Sequence, residues 1–313
     1  MKRESDFREA EPSRFGAGVK VHNRWIRHTQ KQSGEVFNKD VSGISISAIS
    51  QSGEERATKY GLTMDPEKEG MKGYVSESDR NNQTLDGIVE GYSENNPEAT
   101  IRNVRVKEEL MVHGPKNFID LYNDKWTANK KKILESQGLT LEDFSKLTPD
   151  QQEQIAEDAE EPVIQEWLDN SDSELARLHP PRNAAAKFAS LFNRRHDRLA
   201  KKLYNDSEID IAHVTHKTVT EPFLASGVLI RNSDGSRINT IEQLGGSLRI
   251  LDNWESETKT DEHGNPTTKV IIRGEEYHLD PKVLEELAKE GIEQLKESGF
   301  AKQGEAQKKF RRK

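Results

Sequence analysis

Arg27 and His28 close an apolar run that begins at Gly18 and opens into a polar loop, so a guanidinium and an imidazole stand together where a strand would end. In open α/β sheets ligands collect outside the carboxyl ends of the strands, and a cation beside a nucleophilic nitrogen suits an anionic substrate there. A second adjacent pair, Arg195-His196, sits inside a helical pattern and lacks this placement. Two more residues share it. His216 follows the apolar run Ile209, Ile211, Ala212, Val214, and Arg80 enters the first turn of a helix that follows a short strand at 71–75. Phosphate is the ligand such a set suits. Two guanidiniums and one imidazole would hold the nonbridging oxygens of a phosphoryl group while the other imidazole attacks phosphorus in line, forming a phosphohistidine. A nearby carboxylic acid would protonate the leaving oxygen, and its conjugate base would activate water for the second step.

Elements that would position these residues are legible in the periodicity. Val19, Val21, Asn23 and Trp25 share one parity and predict a strand ending at Ile26. Ser52, with Glu55 at the capping-box position, predicts a helix start. The Ser/Asp cluster at 76–79 turns into a helix through Ile88 and Val89, which puts Arg80 at an N-terminus whose free N–H groups attract anions. A third strand is predicted over Thr100–Val106, leading into Glu108 and Glu109.

Residues 125–182 differ in character, with a basic run at Lys130–Lys132, an acidic run at Glu153–Glu161, and Pro162, Pro180 and Pro181 as punctuation. Thr140 and Thr148 read as successive helix caps. The segment is expected to be a helical insertion over the core, either a lid or solvated helices without a part in chemistry. A helix over Ala184–Leu203 carries the stripe Ala185, Phe188, Ala189, Phe192, Leu199 and Leu203, and His196 falls beside it as a packing or surface histidine. Downstream lie a strand over Gly227–Ile230 and a hairpin with arms Ser247–Trp254 and Thr267–Arg273, joined through His263-Gly264-Asn265-Pro266. A final helix starts at Asp280-Pro281 and is stopped by Gly299.

Strands alternating with helices predict a three-layer α/β/α sandwich with a mostly parallel central sheet. The expected organisation is a flexible arm at 1–17, one α/β domain at 18–299 that includes the 125–182 insertion, and a basic flexible tail at 300–313. His213 and His216 are three apart on a strand and so point to opposite faces, which argues against a shared metal and makes His213 a hydrogen-bonded structural residue. Gly16-Ala17-Gly18 precedes a strand and lacks a third glycine, a poor dinucleotide loop.

Composition narrows the functional classes. The chain has 313 residues with 47 Lys+Arg against 55 Asp+Glu, a formal net charge of -8, which argues against general nucleic-acid or anionic-membrane binding. Cysteine is absent, which removes disulfides, thiolate metal sites and cysteine nucleophiles. No apolar run approaches membrane-spanning length, and Met1-Lys2-Arg3 leads into Glu, Ser and Asp, so a soluble, cytoplasmic protein is expected.

These residues also carry a resemblance. Arg27-His28-Thr29 resembles the arginine-histidine-glycine signature of the histidine phosphatase superfamily, in its phosphoglycerate-mutase-like branch. Ser50 through Ala57 is similar to the helix that follows that signature. Ser76 through Thr84 resembles the segment that carries a serine, an arginine four residues on and a glutamine-threonine pair. Val214-Thr215-His216-Lys217-Thr218 is similar to the segment with the second histidine. The order is the family's order, and the match runs loosely from Val19 to Ile230.

The resemblance implies a phosphoglycerate-mutase-like sandwich and a metal-independent phosphomonoester hydrolase without cofactors. It implies His28 as nucleophile and Arg27, Arg80 and His216 as the phosphate pocket. Glu109, or else Glu108, ahead of Val112-His113-Gly114, is then the general acid. Thr29 stands where the family has glycine, and Lys217-Thr218 where it has two more. Three readings follow: a phosphatase acting on a small phosphorylated substrate or a phosphoprotein, a phosphomutase, and a binding or scaffold protein that holds a phosphorylated ligand without turnover. No nucleic-acid or membrane partner is expected.

Overall fold

The computed structural model describes residues 16–29, 38–39, 45–46, 49–65, 70–76, 78–111, 114–200 and 202–297. Strands β1 (Lys20–Arg27), β4 (Gly70–Val75), β5 (Thr100–Val106), β6 (Glu208–Thr215), β7 (Leu229–Arg231), β8 (Asn253–Thr260), β9 (Pro266–Ile272) and β10 (Glu275–Leu279) form one sheet in the order β5-β4-β6-β1-β8-β9-β10-β7. A separate two-stranded ladder joins β2 (Asn38–Lys39) to β3 (Ser45–Ile46). Helices α1 (Gln51–Leu62) and α2 (Asp79–Asn95) cover one face of the large sheet. The other face carries α7 (Pro181–Ala200), α8 (Lys217–Leu224) and α9 (Pro281–Glu297). Helices α3 (Lys116–Ser136), α4 (Leu141–Phe144), α5 (Pro149–Asp169) and α6 (Glu174–Leu178) fill the insertion and pack on a small core of their own around Phe118, Trp167 and Leu175.

The expected three-layer sandwich is present, but its sheet is mixed. β5, β4, β6 and β1 run parallel, because each is fed by a crossover that returns to the same end. From β1 outward the pairing is antiparallel through β8, β9, β10 and β7, with tight turns joining β8 to β9 and β9 to β10. The hairpin differs from its expected bounds. Its first arm is Asn253–Thr260, and Ser247–Asp252 lies outside any strand. Along β8 the buried positions are Trp254, Ser256, Thr258 and Thr260, the last three being small polar side chains that a hydrophobicity pattern does not flag. They are satisfied by cross-strand partners, Thr258 with Thr268 at 2.9 Å and Ser256 with the Trp25 indole N–H at 3.3 Å.

The parity of β1 is as its spacing predicts. Val21, Asn23 and Trp25 face the α7 layer, and Ile26 faces α1 and α2. His213 is sandwiched between Trp25 and Tyr74 with ring centroids 3.8 and 5.2 Å away, and its Nε2 lies 3.1 Å from Asn23 Oδ1. It is a core histidine. The cap of α1 is Ser50 rather than Ser52: the Ser50 hydroxyl accepts from Gly53 N at 3.1 Å and lies 3.0 Å from the Ser52 hydroxyl. The Thr140 and Thr148 capping boxes form as predicted, starting α4 and α5. The insertion begins earlier than its composition suggests, at Lys116. The side chains of His196 and Leu199, the helix stop at Gly299, the tail at 300–313 and most of the arm at 1–17 lie outside the described residues.

α1 and α2 approach one another unusually closely, through glycine. A Cβ on Gly91 would stand 1.9 Å from Thr58 O, and one on Gly61 would stand 2.1 Å from Ile88 O. Because both obstacles are backbone, neither can turn aside. Gly91→Ala is therefore expected to destabilise by ~1–3 kcal/mol, the cost of overpacking exceeding the gain in helix propensity. Urea unfolding checks this, and a neutral or positive change would mean that the helices can separate freely.

Candidate functional site

Register determines which residues meet. β1 and β6 are parallel neighbours with Arg27 opposite Thr215, so the residues one step beyond, His28 and His216, emerge side by side. The backbone ladder continues into this step, with His28 N donating to Thr215 O at 3.1 Å. The two imidazoles meet edge to face with centroids 4.7 Å apart. Val75 of β4 pairs with Val214, so the turn after β4 delivers the first turn of α2, with Arg80, to the same edge. α8 begins immediately after His216, so the N-termini of α2 and α8 both face the site.

Hydrogen bonds assign the imidazole tautomers. His28 Nδ1 lies 2.8 Å from the Thr29 carbonyl, which only accepts, so Nδ1 carries the proton and Nε2 presents its lone pair. On the second histidine, Nε2 lies 3.4 Å from Asn81 Nδ2, one hydrogen of which goes to Ser76 Oγ while the other is shared between Val214 O and this ring nitrogen. His216 Nε2 is then the acceptor, and its Nδ1–H is a donor. Burial first, then the Arg80 charge, hold His28 well below the ordinary imidazole value. The same causes push His216 down to about 3. Both rings are neutral at physiological pH, one suited to attack and the other to donate.

Arg80 is half-buried, and desolvation brings its guanidinium down to about 10, so it stays charged. Arg27 is 7% exposed, and its two terminal nitrogens reach Glu157 Oε2 at 2.5 Å, Glu160 Oε2 at 3.1 Å and the Leu248 carbonyl at 2.8 Å. Lys217, 2% exposed, sits 2.9 Å from Glu160 Oε2 and 3.9 Å from Glu157 Oε2. Tyr122 of α3 donates to Glu160 Oε1 at 2.9 Å. Glu221, one turn beyond Lys217 on α8, is pushed up to about 7 by burial while accepting from Ser247 Oγ and Leu248 N at 2.7 Å each. Three cations, of which Arg27 and Lys217 are buried, thus lie near Glu157 and Glu160 and near a third carboxylate that ionises near neutrality.

Arg27, His28, Arg80 and His216 accordingly converge on one strand edge. Thr29 does not point into the space they surround. It is fully buried, with its N–H donating to Thr84 Oγ1 at 3.1 Å and its hydroxyl 3.0 Å from the same atom, which itself donates to Arg80 O at 2.7 Å. The β-branched residue ties the His28 loop to the first turn of α2. Glu108 and Glu109 lie in a short 3-10 turn at the end of β5, beside β6, where Thr215 Oγ1 donates to Leu110 O at 2.9 Å. The Glu109 carboxylate is engaged by Arg194 of α7, which, with its own backbone hydrogen bond, outweighs burial and holds it below the usual carboxylate range.

Sequence reasoning missed Glu157, Glu160, Tyr122 and Glu221 as parts of this site. The acidic run was visible, yet only the spacing of Glu157 and Glu160, one turn apart on the face that also carries buried Ile164 and Trp167, distinguishes them from their solvated neighbours. Among the described residues no group of three His, Asp or Glu side chains is arranged to hold a metal ion, and no helix is long and apolar enough to cross a membrane.

No protein-family model matches the chain, and no curated protein does. Solved structures with related backbones include a mycobacterial glucosyl-3-phosphoglycerate phosphatase, 12% identical over 81% of this chain and 98% of that one, with a TM-score of 0.45. The phytase of D. castellii is 13% identical over 92% of this chain and 82% of its own, with a TM-score of 0.45. A phosphoglycerate mutase from Bacillus anthracis is 14% identical over 88% of this chain and 99% of that one, with a TM-score of 0.38.

Proposed function

We propose that the chain is a phosphomonoester hydrolase that captures the phosphoryl group on His28 Nε2 and releases it to water. The observation that carries this reading is the pairing of two neutral imidazoles, 4.7 Å apart, near the cations Arg27 and Arg80 at the carboxyl edge of four parallel strands. His28 offers a lone pair from Nε2 because Thr29 O holds its other proton. His216 donates from Nδ1 to a nonbridging oxygen, and Arg80 and Arg27 supply forked donors to the others. The positive ends of α2 and α8 add to the same field. The ligand class is a phosphate monoester, of a small molecule or of a phosphoprotein.

Binding without turnover is the reading to set against it, since Glu157 and Glu160 already occupy Arg27 and Lys217. Rapid quench of the protein with a 32P-labelled aryl phosphate separates the two. Hydrolysis is expected to proceed through a phosphoprotein that is acid-labile and stable to base, as a phosphoramidate bond is. Phosphate binding with neither turnover nor adduct would establish the binding module instead.

A further inference from the structure

Cleavage through His28 leaves one demand unmet: the departing oxygen needs a proton, and the attacking water must later lose one. Glu109, the carboxyl group nearest in chain position to the family's acid, is already committed to Arg194 on α7. Glu160 of the inserted helix α5 is placed differently. Its Oε2 lies within 3.1 Å of Arg27 and 2.9 Å of Lys217, its Oε1 is held by the Tyr122 hydroxyl, and its charge is felt at both Arg80 and His216. It is thus the carboxylate that borders the space between the two guanidiniums and the second imidazole.

We propose that Glu160 is the catalytic acid and base of this site, delivered by the insertion rather than by the strand edge. This rests on the phosphohistidine reading above. In the first step the His28 Nε2 lone pair forms the N–P bond, and the P–O bond to the leaving group breaks with its electron pair. The Glu160 proton goes to that oxygen, and an alcohol departs. In the second step a water oxygen bonds to phosphorus and gives a proton to the Glu160 carboxylate. The N–P bond then breaks, and its pair returns to Nε2. The sum is ester plus water to alcohol plus phosphate, with Glu160 protonated in the ester-bound complex and again in the phosphate-bound one.

In the resting site Lys217 and Arg27 outweigh burial and hold Glu160 ionised. A phosphoryl dianion that takes over those cations removes this stabilisation and adds negative charge beside the carboxylate, so the proton arrives together with the substrate. Lys217 and Tyr122 act as positioning residues that fix the carboxyl group at the site.

The test compares Glu160→Gln and Glu109→Gln on two esters that differ in their need for a proton, 2,4-dinitrophenyl phosphate and glycerol 2-phosphate. For Glu160→Gln the burst of dinitrophenol is expected to fall by less than roughly 10-fold, while glycerol 2-phosphate turnover falls by roughly 10²- to 10⁴-fold. Phosphoprotein should accumulate with the aryl ester, because water is no longer deprotonated. A merely structural role would slow both esters alike. Glu160→Asp, which keeps a carboxyl group and the ion pairs, should recover part of the glycerol 2-phosphate rate, and it carries the comparison if the Gln variant does not fold. Equal losses on both esters, or a leaving-group dependence that appears in Glu109→Gln instead, would overturn the assignment. A wild-type protein that forms no acid-labile adduct would remove the phosphohistidine reading itself, and the role of Glu160 with it.

Discussion

The His28→Ala variant is expected to lose roughly 10⁴-fold or more in phosphomonoester turnover, the loss typical when an enzyme is deprived of its nucleophile. The acid-labile phosphoprotein should vanish with it. The fold should persist with a loss of about 1–3 kcal/mol, the cost of truncating a buried ring whose one hydrogen bond goes to its own neighbour, Thr29. Stopped assays and a melting curve on the same preparation check both halves. Residual turnover above about 1% of wild type would place the nucleophile elsewhere.

The same electrostatics determine the pH dependence. His28 and His216 are neutral in the folded protein well below the ordinary imidazole value, His216 down to about 3. An unfolded chain binds those protons from about pH 6.5 downward. Their contribution to stability is therefore fully present above pH 6.5 and is lost as the pH falls toward 3. The nucleophile, by contrast, stays unprotonated across the mildly acidic range, so an acid limb of phosphoprotein formation near pH 6.5 would contradict a buried His28 flanked by Arg80.

The second large effect concerns Arg27. Its removal as Arg27→Met leaves Glu157 and Glu160 with Lys217, the Tyr122 hydroxyl and the charge of Arg80 to compensate them, and breaking a buried ion pair of this kind costs about 3–5 kcal/mol. The sign of its pH dependence follows. Orphaned carboxylates have folded pKa values above their unfolded ones, so the penalty is full at pH 7 and shrinks as the pH falls through those raised values. Denaturant midpoints at pH 7 and pH 4 should therefore show a larger deficit at pH 7. Adding Glu157→Gln should restore part of the stability at pH 7 without restoring turnover. A deficit that does not depend on pH would mean that Arg27 contributes packing rather than charge.

How far the site was legible depended on how local each signal is. Arg27 and His28 end a strand whose alternation is unambiguous, Arg80 follows a Ser/Asp helix start, and His216 ends a buried apolar run. Each placement needs only a few neighbouring residues, so each could be read from a short window. The helix caps at Thr140 and Thr148 were legible for the same reason. The bounds of the first hairpin arm were not, because β8 buries Ser256, Thr258 and Thr260, whose partners Trp25, Thr268 and Val19 lie on or beside neighbouring strands. The half-antiparallel character of the sheet was hidden likewise, since β10 is only five residues long and largely exposed.

By itself, then, the sequence determined the α/β layering and the cations and imidazoles that follow its strands, because periodicity and capping act over a handful of residues. Only the tertiary structure decided which carboxylate each cation meets. Glu157 and Glu160 reach Arg27 from 130 and 133 residues away, and Glu109 is drawn off to Arg194 across 85. Nothing in a local pattern ranks one acidic residue above another. That ranking comes from burial, which makes an unpaired charge costly and so selects, from a solvated acidic helix, the two side chains that turn inward.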